Sequence, residues 1–247
     1  MKVYIGSRNR LKFPAKEIFG KRIVLFVEPQ FIEDYRKKHP ELEIVDIGEN
    51  DKGFAFMLNA MLKYANEKGE KYYLFCDDDI YGLKIRKEKK LVRVKDVDKF
   101  LKQGESVMET FGFSQLGVSF QGHNWYEEGL LKPNGAVWGM GFMNVRALTK
   151  IGGYDGKLAI FNDYEITARL LSGGYDNAIW YYYTFEHKML GMEGGLDFIY
   201  KQKDKINGAI ATLVQRYPYA TKVIKHEGHQ QNEIRFNWKK LCQKKAK

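Results

Sequence analysis

Tyr72-Tyr73-Leu74-Phe75-Cys76-Asp77-Asp78-Asp79-Ile80-Tyr81-Gly82 opens as an apolar, aromatic-rich run and ends in three consecutive carboxylates. Strands of a parallel sheet are covered on both faces and read as nearly continuous apolar runs, and ligands of open α/β sheets sit outside the carboxyl ends of such strands. The stretch therefore predicts a buried strand that delivers acids to a site. Three like charges packed there repel one another unless something cationic offsets them. A hard divalent cation such as Mg2+ or Mn2+ takes carboxylate oxygens and commonly shares its shell with substrate phosphates. Side chains alternate along an extended strand, which sends Asp77 and Asp79 to one side and Asp78 to the other. The pair Asp77/Asp79 is the expected metal and nucleotide clamp; the competing reading is an exposed acidic turn at a strand end.

The rest of the composition bounds the problem. The chain has 247 residues, 44% of them hydrophobic and 15% aromatic, enough to bury one sizeable core. No window approaches the roughly 18 apolar residues of a membrane span, and no signal-peptide apolar region appears at the N-terminus; the expectation is a soluble, cytoplasmic protein. Two cysteines, Cys76 and Cys242, make no disulfide framework, and Cys76 reads as a small buried hydrophobe. The formal net charge of +10 permits a nucleic acid, a nucleotide or a membrane surface as partner without choosing among them. Part of the excess lies in Lys84 to Lys95 and part in Lys239, Lys240, Lys244, Lys245 and Lys247. Such runs are also what solvated faces and frayed ends look like.

Strands and helices alternate along the chain, which predicts an α/β fold. Lys2 to Gly6 reads as a strand running into Ser7-Arg8-Asn9-Arg10, where α/β nucleotide-binding domains hold their ligand. Ser7, Arg8 and Arg10 are candidate phosphate or base contacts, although no Gly-rich fingerprint accompanies them. Arg22 to Val27 and Glu43 to Ile47 read as strands, and Phe31 to Lys38 as a short helix between them. Gly53 to Lys68 carries Phe54, Met57, Leu58, Met61, Leu62 and Ala65 at helical spacing, with Asn50 or Asp51 as cap and Gly69 as stop. Lys52 and Asn59, near its start, are candidate donor contacts.

Beyond the acids, Gly82 to Val94 reads as a basic β excursion and Val97 to Phe111 as an amphipathic helix. Ser119 to Lys132 is Gly-rich and polar, and its His123, Asn124 and Trp125 would offer an aromatic loop to a sugar or a base. Asn134 to Asn144, with Gly135, Gly139 and Gly141, reads as a strand where backbone comes close to something. Val145 to Lys150 is a short helix, followed by Gly152-Gly153-Tyr154-Asp155. Asp163 falls in the first turn of the next helix, where a mere cap is the alternative role. Asn177 to Phe185 is strongly β-prone and delivers His187 to a strand end. Leu196 to Tyr217 reads as a helix interrupted by Gly208, and Glu233 to Trp238 as an edge strand. His226 and His229 lie in a polar stretch.

Taken in order, the acid-ended strand, Gly135 to Asn144, Gly152-Gly153-Tyr154-Asp155, Asn162-Asp163-Tyr164-Glu165 with Arg169-Leu170-Leu171, and Gly174-Tyr175 resemble a GT-A-fold glycosyltransferase. The resemblance implies a mostly parallel central sheet flanked by helices, a small second sheet, a catalytic domain over residues 1–195 and a helical, basic extension over 196–247 packed on it. Asp77-Asp78-Asp79 looks like the family's Asp-x-Asp motif, which implies metal ligation by Asp77 and Asp79 and places Asp78 and Gly139 with the donor. Asn162-Asp163 matches the family's Glu-Asp pair with Asn in the first position, and in inverting members that aspartate is the catalytic base. His187 matches the family's late metal-binding histidine, with His229 as the other candidate. Tyr154 and Glu165 join His123, Asn124 and Trp125 as acceptor-side candidates.

More narrowly, the compact length, the triple Asp followed by Ile80, and the basic surface look similar to the phage and base-J-associated glycosyltransferases that modify hydroxymethylpyrimidines in DNA. That resemblance implies transfer of a hexose, glucose foremost, from a UDP-sugar with Mn2+ or Mg2+, in a host cytoplasm if phage-encoded. The oligomeric state is left open. Rival readings are a glycosyltransferase acting on a glycan, lipid carrier or protein, a metal-dependent nuclease, and a non-catalytic nucleic-acid-binding module.

Overall fold

The structure is a computed structural model that describes residues 1–88, 90–121, 130–187, 202–224 and 233–242. Its centre is a ten-stranded sheet. In chain order its strands are β1 (Val3–Gly6), β2 (Ile23–Val27), β3 (Glu43–Asp46), β4 (Tyr72–Cys76), β5 (Ile80–Lys87), β6 (Lys90–Arg93), β7 (Gln115–Phe120), β8 (Leu131–Pro133), β9 (Met140–Asn144) and β10 (Asn177–His187). The spatial order is β3-β2-β1-β4-β9-β7-β10-β5-β6, with β8 pairing β10. The strands β3, β2, β1, β4, β7, β10 and β6 run one way, and β9, β5 and β8 the other. This is the expected mostly parallel α/β sheet.

Alternation along the strands builds two cores. Val3 and Ile5 of β1 face one side and Tyr4 the other. On the first side, α1 (Ala15–Phe19), α2 (Ile32–Lys38) and α4 (Val97–Phe111) bury Phe19, Tyr35, Phe100 and Met108 against Leu25, Leu74 and Phe142. On the second, α3 (Phe54–Glu67), α5 (Val145–Lys150) and α6 (Asn162–Ser172) bury Met57, Met61, Leu148 and Ile166 against Tyr4, Phe26 and Tyr73. A third, smaller core joins α6 to α7 (Lys203–Arg216), the hairpin β11 (Thr221–Ile224) with β12 (Glu233–Phe236), and α8 (Trp238–Cys242).

Several local expectations need correction. The helix α3 is capped by neither Asn50 nor Asp51: it begins after Gly53, at φ +87°, while Asn50 accepts the Gln30 N–H and Asp51 pairs with Arg8. Gly69, at φ +67°, does end it. The strand expected from Asn134 is confined to β9, because Gly139 at φ +66° breaks extended backbone immediately before Met140. The Gln115–Phe120 strand went unread, since Gly117 and Ser119 weaken its β character. Gly208 lies inside α7 without breaking it. Residues 196–201, with the start of the expected last helix, lie outside the described residues, as do His226 and His229. No described helix is long and apolar enough to cross a membrane.

Candidate active site

The carboxyl end of β4 lies at the middle of the sheet, between β1 and β9. Asp77 follows β4 directly, and its N–H donates to the Gly139 carbonyl at 2.8 Å. Gly139 is needed there on two counts: its backbone is left-handed, and a Cβ would lie 2.7 Å from the Phe185 ring. Asp79 leads into β5, and His187 ends β10, paired across the sheet with Ile80. The ligand atoms of Asp77, Asp79 and His187 lie within 4.8 Å of one another. Trp138 packs edge-on against the His187 ring at 6.2 Å.

Two observations show that this trio suits a divalent cation. His187 Nε2 lies 3.0 Å from Asp79 Oδ1, and that buried oxygen lacks a well-aligned hydrogen bond; a nitrogen and a carboxylate oxygen converge there. Asp77, moreover, is pushed well above the usual carboxylate range, first by burial and then by the charges of Asp79, Asp78 and Asp163. A cation among them would relieve both, and oxygen plus imidazole ligation fits Mn2+ or Mg2+ chemistry.

Asp78 points away from the trio: β4 ends at Cys76, and the turn at Asp78 and Asp79 that leads into β5, not strand alternation, sets the direction of its side chain. Its Oδ2 accepts from Ser7 Oγ at 2.6 Å and its Oδ1 from Arg10 Nη1. Ser7 Oγ is also 2.8 Å from the Tyr35 hydroxyl, which accepts the Arg10 N–H at 2.8 Å. Burial raises the Asp78 pKa to about 6 while the Arg10 guanidinium and the Ser7 hydroxyl oppose the shift. Ser7 and Arg10 are thus buried against Asp78, with Arg10 Nη1 3.7 Å from Asp79 Oδ2. The neighbouring Arg8 turns to Glu28 and Asp51. Lys52 is exposed beside Glu49. Asn59 clamps the backbone of Tyr154, accepting its N–H at 2.8 Å and donating to its carbonyl at 2.9 Å.

Asp163 is the second residue of α6, whose N-terminal turn starts from Phe161 in the left-handed conformation, φ +64°. Burial lifts its pKa to about 6, while the N–H groups of Tyr164 and of Asp163 itself pull the other way. Asp163 is close enough to contribute to the upward shifts of both Asp77 and Tyr154. Asp163 thus lies within electrostatic reach of Asp77. Glu165 is buried and holds Arg169 at 3.0 Å and Arg216 at 3.4 Å. His123, Asn124 and Trp125 lie outside the described residues. The roles of Glu28, Tyr35 and Arg216 carried no sequence signal, because each acts through a tertiary contact.

Residues 1–195 match the family of TET-associated glycosyltransferases. The chain belongs to this glycosyltransferase family. No curated protein matches the sequence significantly. Among solved structures, a mannosyltransferase from Pyrobaculum calidifontis in complex with GDP-Man and Mn2+ aligns with TM-score 0.52 and 12% identity, over 87% of this chain and 64% of that one. TarS 1-349 from S. aureus aligns with TM-score 0.49 and 14% identity, over 87% of this chain and 66% of that one. The chain thus spans slightly less than two thirds of the length of either structure. The fold is GT-A. In this chain the Asp77-Asp78-Asp79 cluster occupies the carboxyl end of β4, and Asp78 is anchored to the loop after β1 by Ser7 and Arg10.

Proposed function

We propose that the protein moves a hexose, glucose foremost, from a UDP-sugar to the hydroxymethyl group of a modified pyrimidine in DNA, with inversion at the anomeric carbon. The observation that carries this reading is the convergence of Asp77, Asp79 and His187 at the carboxyl end of β4 in a chain of this family; Asp163, with a pKa near 6 and within electrostatic reach of Asp77, supports the inverting step. A general base must be ionised at working pH yet basic enough to accept a proton, which is where Asp163 lies.

In the proposed reaction Asp163 takes the proton of the acceptor hydroxyl. The acceptor oxygen bonds to the anomeric carbon as the bond from that carbon to the diphosphate oxygen breaks, and the diphosphate leaves with the electron pair. Asp77, Asp79 and His187 would hold Mn2+ or Mg2+, whose positive charge stabilises the departing diphosphate. Arg10, by pairing with Asp78 and approaching Asp79, keeps the neighbouring carboxylates in place. Arg8, Lys52 and the backbone at Gly139 form the proposed donor side, and Tyr154 and the His123, Asn124 and Trp125 segment the acceptor side. Ser7, Asn59 and Glu165, whose polar atoms are taken by Asp78, by the Tyr154 backbone and by Arg169 and Arg216, act by holding those segments in place. The mannosyltransferase of similar fold was captured with a nucleoside diphosphate sugar and Mn2+; the extension of that donor class to this chain is ours. The basic surface, +10 overall, is what a polyanionic acceptor calls for.

The test is to incubate the protein with Mn2+, a panel of UDP-sugars, and matched DNA containing cytosine, thymine, 5-hydroxymethylcytosine or 5-hydroxymethyluracil, and then to measure nucleoside masses. A hexose-sized gain confined to a hydroxymethylated base supports the reading. UDP release with no modified nucleoside on any template sinks it and points to a glycan, lipid carrier or protein acceptor.

A further inference from the structure

The family match ends at residue 195, yet the turn and helix that carry Asp163 are held from beyond it. Ile206, Ala209, Ile210 and Leu213 of α7 share a core with Ala168 and Leu171 of α6 and with Leu158 and Ile160 of the preceding loop. The last residue of α7, Arg216, projects from that packed helix onto two acids. Its Nη2 lies 2.6 Å from Asp155 Oδ2 and its Nη1 3.4 Å from Glu165 Oε1.

These two acids belong to the two segments that flank Asp163. Glu165, 2% exposed, is in the same first turn of α6; its other oxygen takes Arg169 Nη2 at 3.0 Å. Arg169 in turn donates to the carbonyls of Ile151 and Gly153. Asp155 closes the Gly152-Gly153-Tyr154-Asp155 turn, whose Tyr154 is bracketed by Asn59. The side chains of Asp155, Glu165, Arg169 and Arg216 line a surface depression of about 630 Å3. Two guanidiniums are matched there by two carboxylates, so the depression has no excess charge with which to capture an anion. The arrangement is a cross-brace.

We propose that Arg216 is a positioning residue for Asp163, locking the 151–155 turn to the first turn of α6 so that the carboxylate faces the acceptor. Removing its guanidinium leaves a buried Glu165 oxygen unpaired and cuts the ion pairs to Asp155 and Glu165, leaving Arg169, which reaches from Glu165 to the Ile151 and Gly153 carbonyls, as the remaining side-chain tie described between the segments. Displacements of about 1 Å in a reacting group are enough to cost about 100-fold in rate. The catalytic consequence rests on the reading of Asp163 as base; the brace itself does not.

The experiment compares the full chain with Arg216→Gln and Arg216→Lys by amide hydrogen exchange and by transfer kinetics in Mn2+. In Arg216→Gln, peptides covering residues 150–165 should exchange about tenfold faster while peptides covering β4 are unchanged, a local opening rather than global unfolding. The kcat should fall by about tenfold or more with the KM for the UDP-sugar unchanged, as expected when an interaction specific to the transition state is lost. Arg216→Lys should recover part of both. Unchanged exchange in 150–165 overturns the brace, and faster exchange with undiminished kcat overturns the positioning role. Uniformly faster exchange across the chain shows a purely structural residue and overturns it as well. Full activity in Asp163→Asn, or no transfer by the unaltered protein, instead defeats the functional reading and leaves the brace to be judged by exchange alone.

Discussion

Nε2 of His187 stands 3.0 Å from Oδ1 of Asp79, and no well-aligned hydrogen bond joins them. Both groups can offer a lone pair to one cation, which is the role proposed for them. With Asp77 they complete a trio whose charge is uncompensated, apart from Arg10 at 3.7 Å from the second Asp79 oxygen. Asp79→Asn keeps the size of the side chain and removes the charge that a cation needs. Calorimetric titration with UDP should show binding strengthened by Mn2+ in the unaltered protein and no such strengthening in Asp79→Asn. Equal Mn2+ dependence in both would remove Asp79 from the metal site.

Asp163→Asn should retain the fold and donor binding and lose at least about 100-fold in kcat, since general-base catalysis contributes about 10²–10⁴-fold. The amide can still accept the N–H groups at the start of α6 but cannot take a proton. Near-normal turnover would reduce Asp163 to a helix cap.

The pKa of about 6 also fixes a pH dependence. With Asp163 as the proposed base the ionised carboxylate is the active form, so kcat/KM should rise with an apparent pKa near 6 and level off above about pH 7. Stability runs the other way. Because the folded pKa lies above the ordinary 3.8, the native state binds more protons than the unfolded chain between those values. This group's contribution is present below about pH 4 and lost as pH rises through about 6. Thermal melts at pH 7.5 should accordingly place Asp163→Asn at or above the unaltered protein; a markedly lower Tm would mean that its charge at the N-terminus of α6 stabilises more than its burial costs.

Ser7 and Arg10 are buried and are joined to the half-buried Asp78, and the energetics of this set can be read by deletion. Breaking a buried ion pair by removing one partner costs about 3–5 kcal/mol, because the other charge stays buried and unpaired. At about 2–4 °C per kcal/mol for a chain of this size, Arg10→Ala should lower Tm by roughly 6–20 °C. Arg10→Ala combined with Asp78→Asn should regain part of that loss. A Tm left unchanged by Arg10→Ala, together with a raised donor KM, would show instead that Arg10 turns outward to the nucleotide.

How far the sequence could be read follows from how local each determinant is. The run Tyr72 to Cys76 with its acids, the helical spacing of Met57, Leu58 and Met61, and the β-prone Asn177 to Phe185 each carry their own pattern, and each folds as read. Strand alternation predicts the separation of Asp78 from Asp77 and Asp79, but the structure makes it with the turn between β4 and β5. By contrast, β7 is held between β9 and β10 by a sheet that no window of Gln115 to Phe120 reveals. The burial of Ser7 and Arg10 depends on Asp78, 68 or more residues away. Arg216 reads as an ordinary basic residue at a helix end, and its grip on Asp155 and Glu165 exists only once α7 has packed on α6.

The edge of the main sheet offers the sharpest test of the acceptor. The β5–β6 hairpin ends the sheet and carries Lys87, Lys90 and Arg93 exposed to solvent. Lys84, by contrast, is tied to Glu186 at 2.7 Å and to Gln121 at 3.1 Å. Charged edge strands also keep sheets from pairing with other chains, so exposure alone does not establish phosphate contact. Salt dependence separates the two roles. Each phosphate neutralised on a duplex contributes about −0.9 to the slope of log affinity against log salt. Replacing Lys87, Lys90 and Arg93 together by Gln should make the slope for hydroxymethylated DNA shallower by up to about 3, at roughly one per contact. The KM for the UDP-sugar and kcat at saturating DNA should be unaltered, because the hairpin is remote in role from Asp163 and the metal trio. An unchanged slope would take the DNA off this edge and direct attention to Lys239 and Lys240, which are exposed on α8. Absence of any slope in the unaltered protein would exclude a polyanionic acceptor and leave the hairpin charges as protection of the sheet edge.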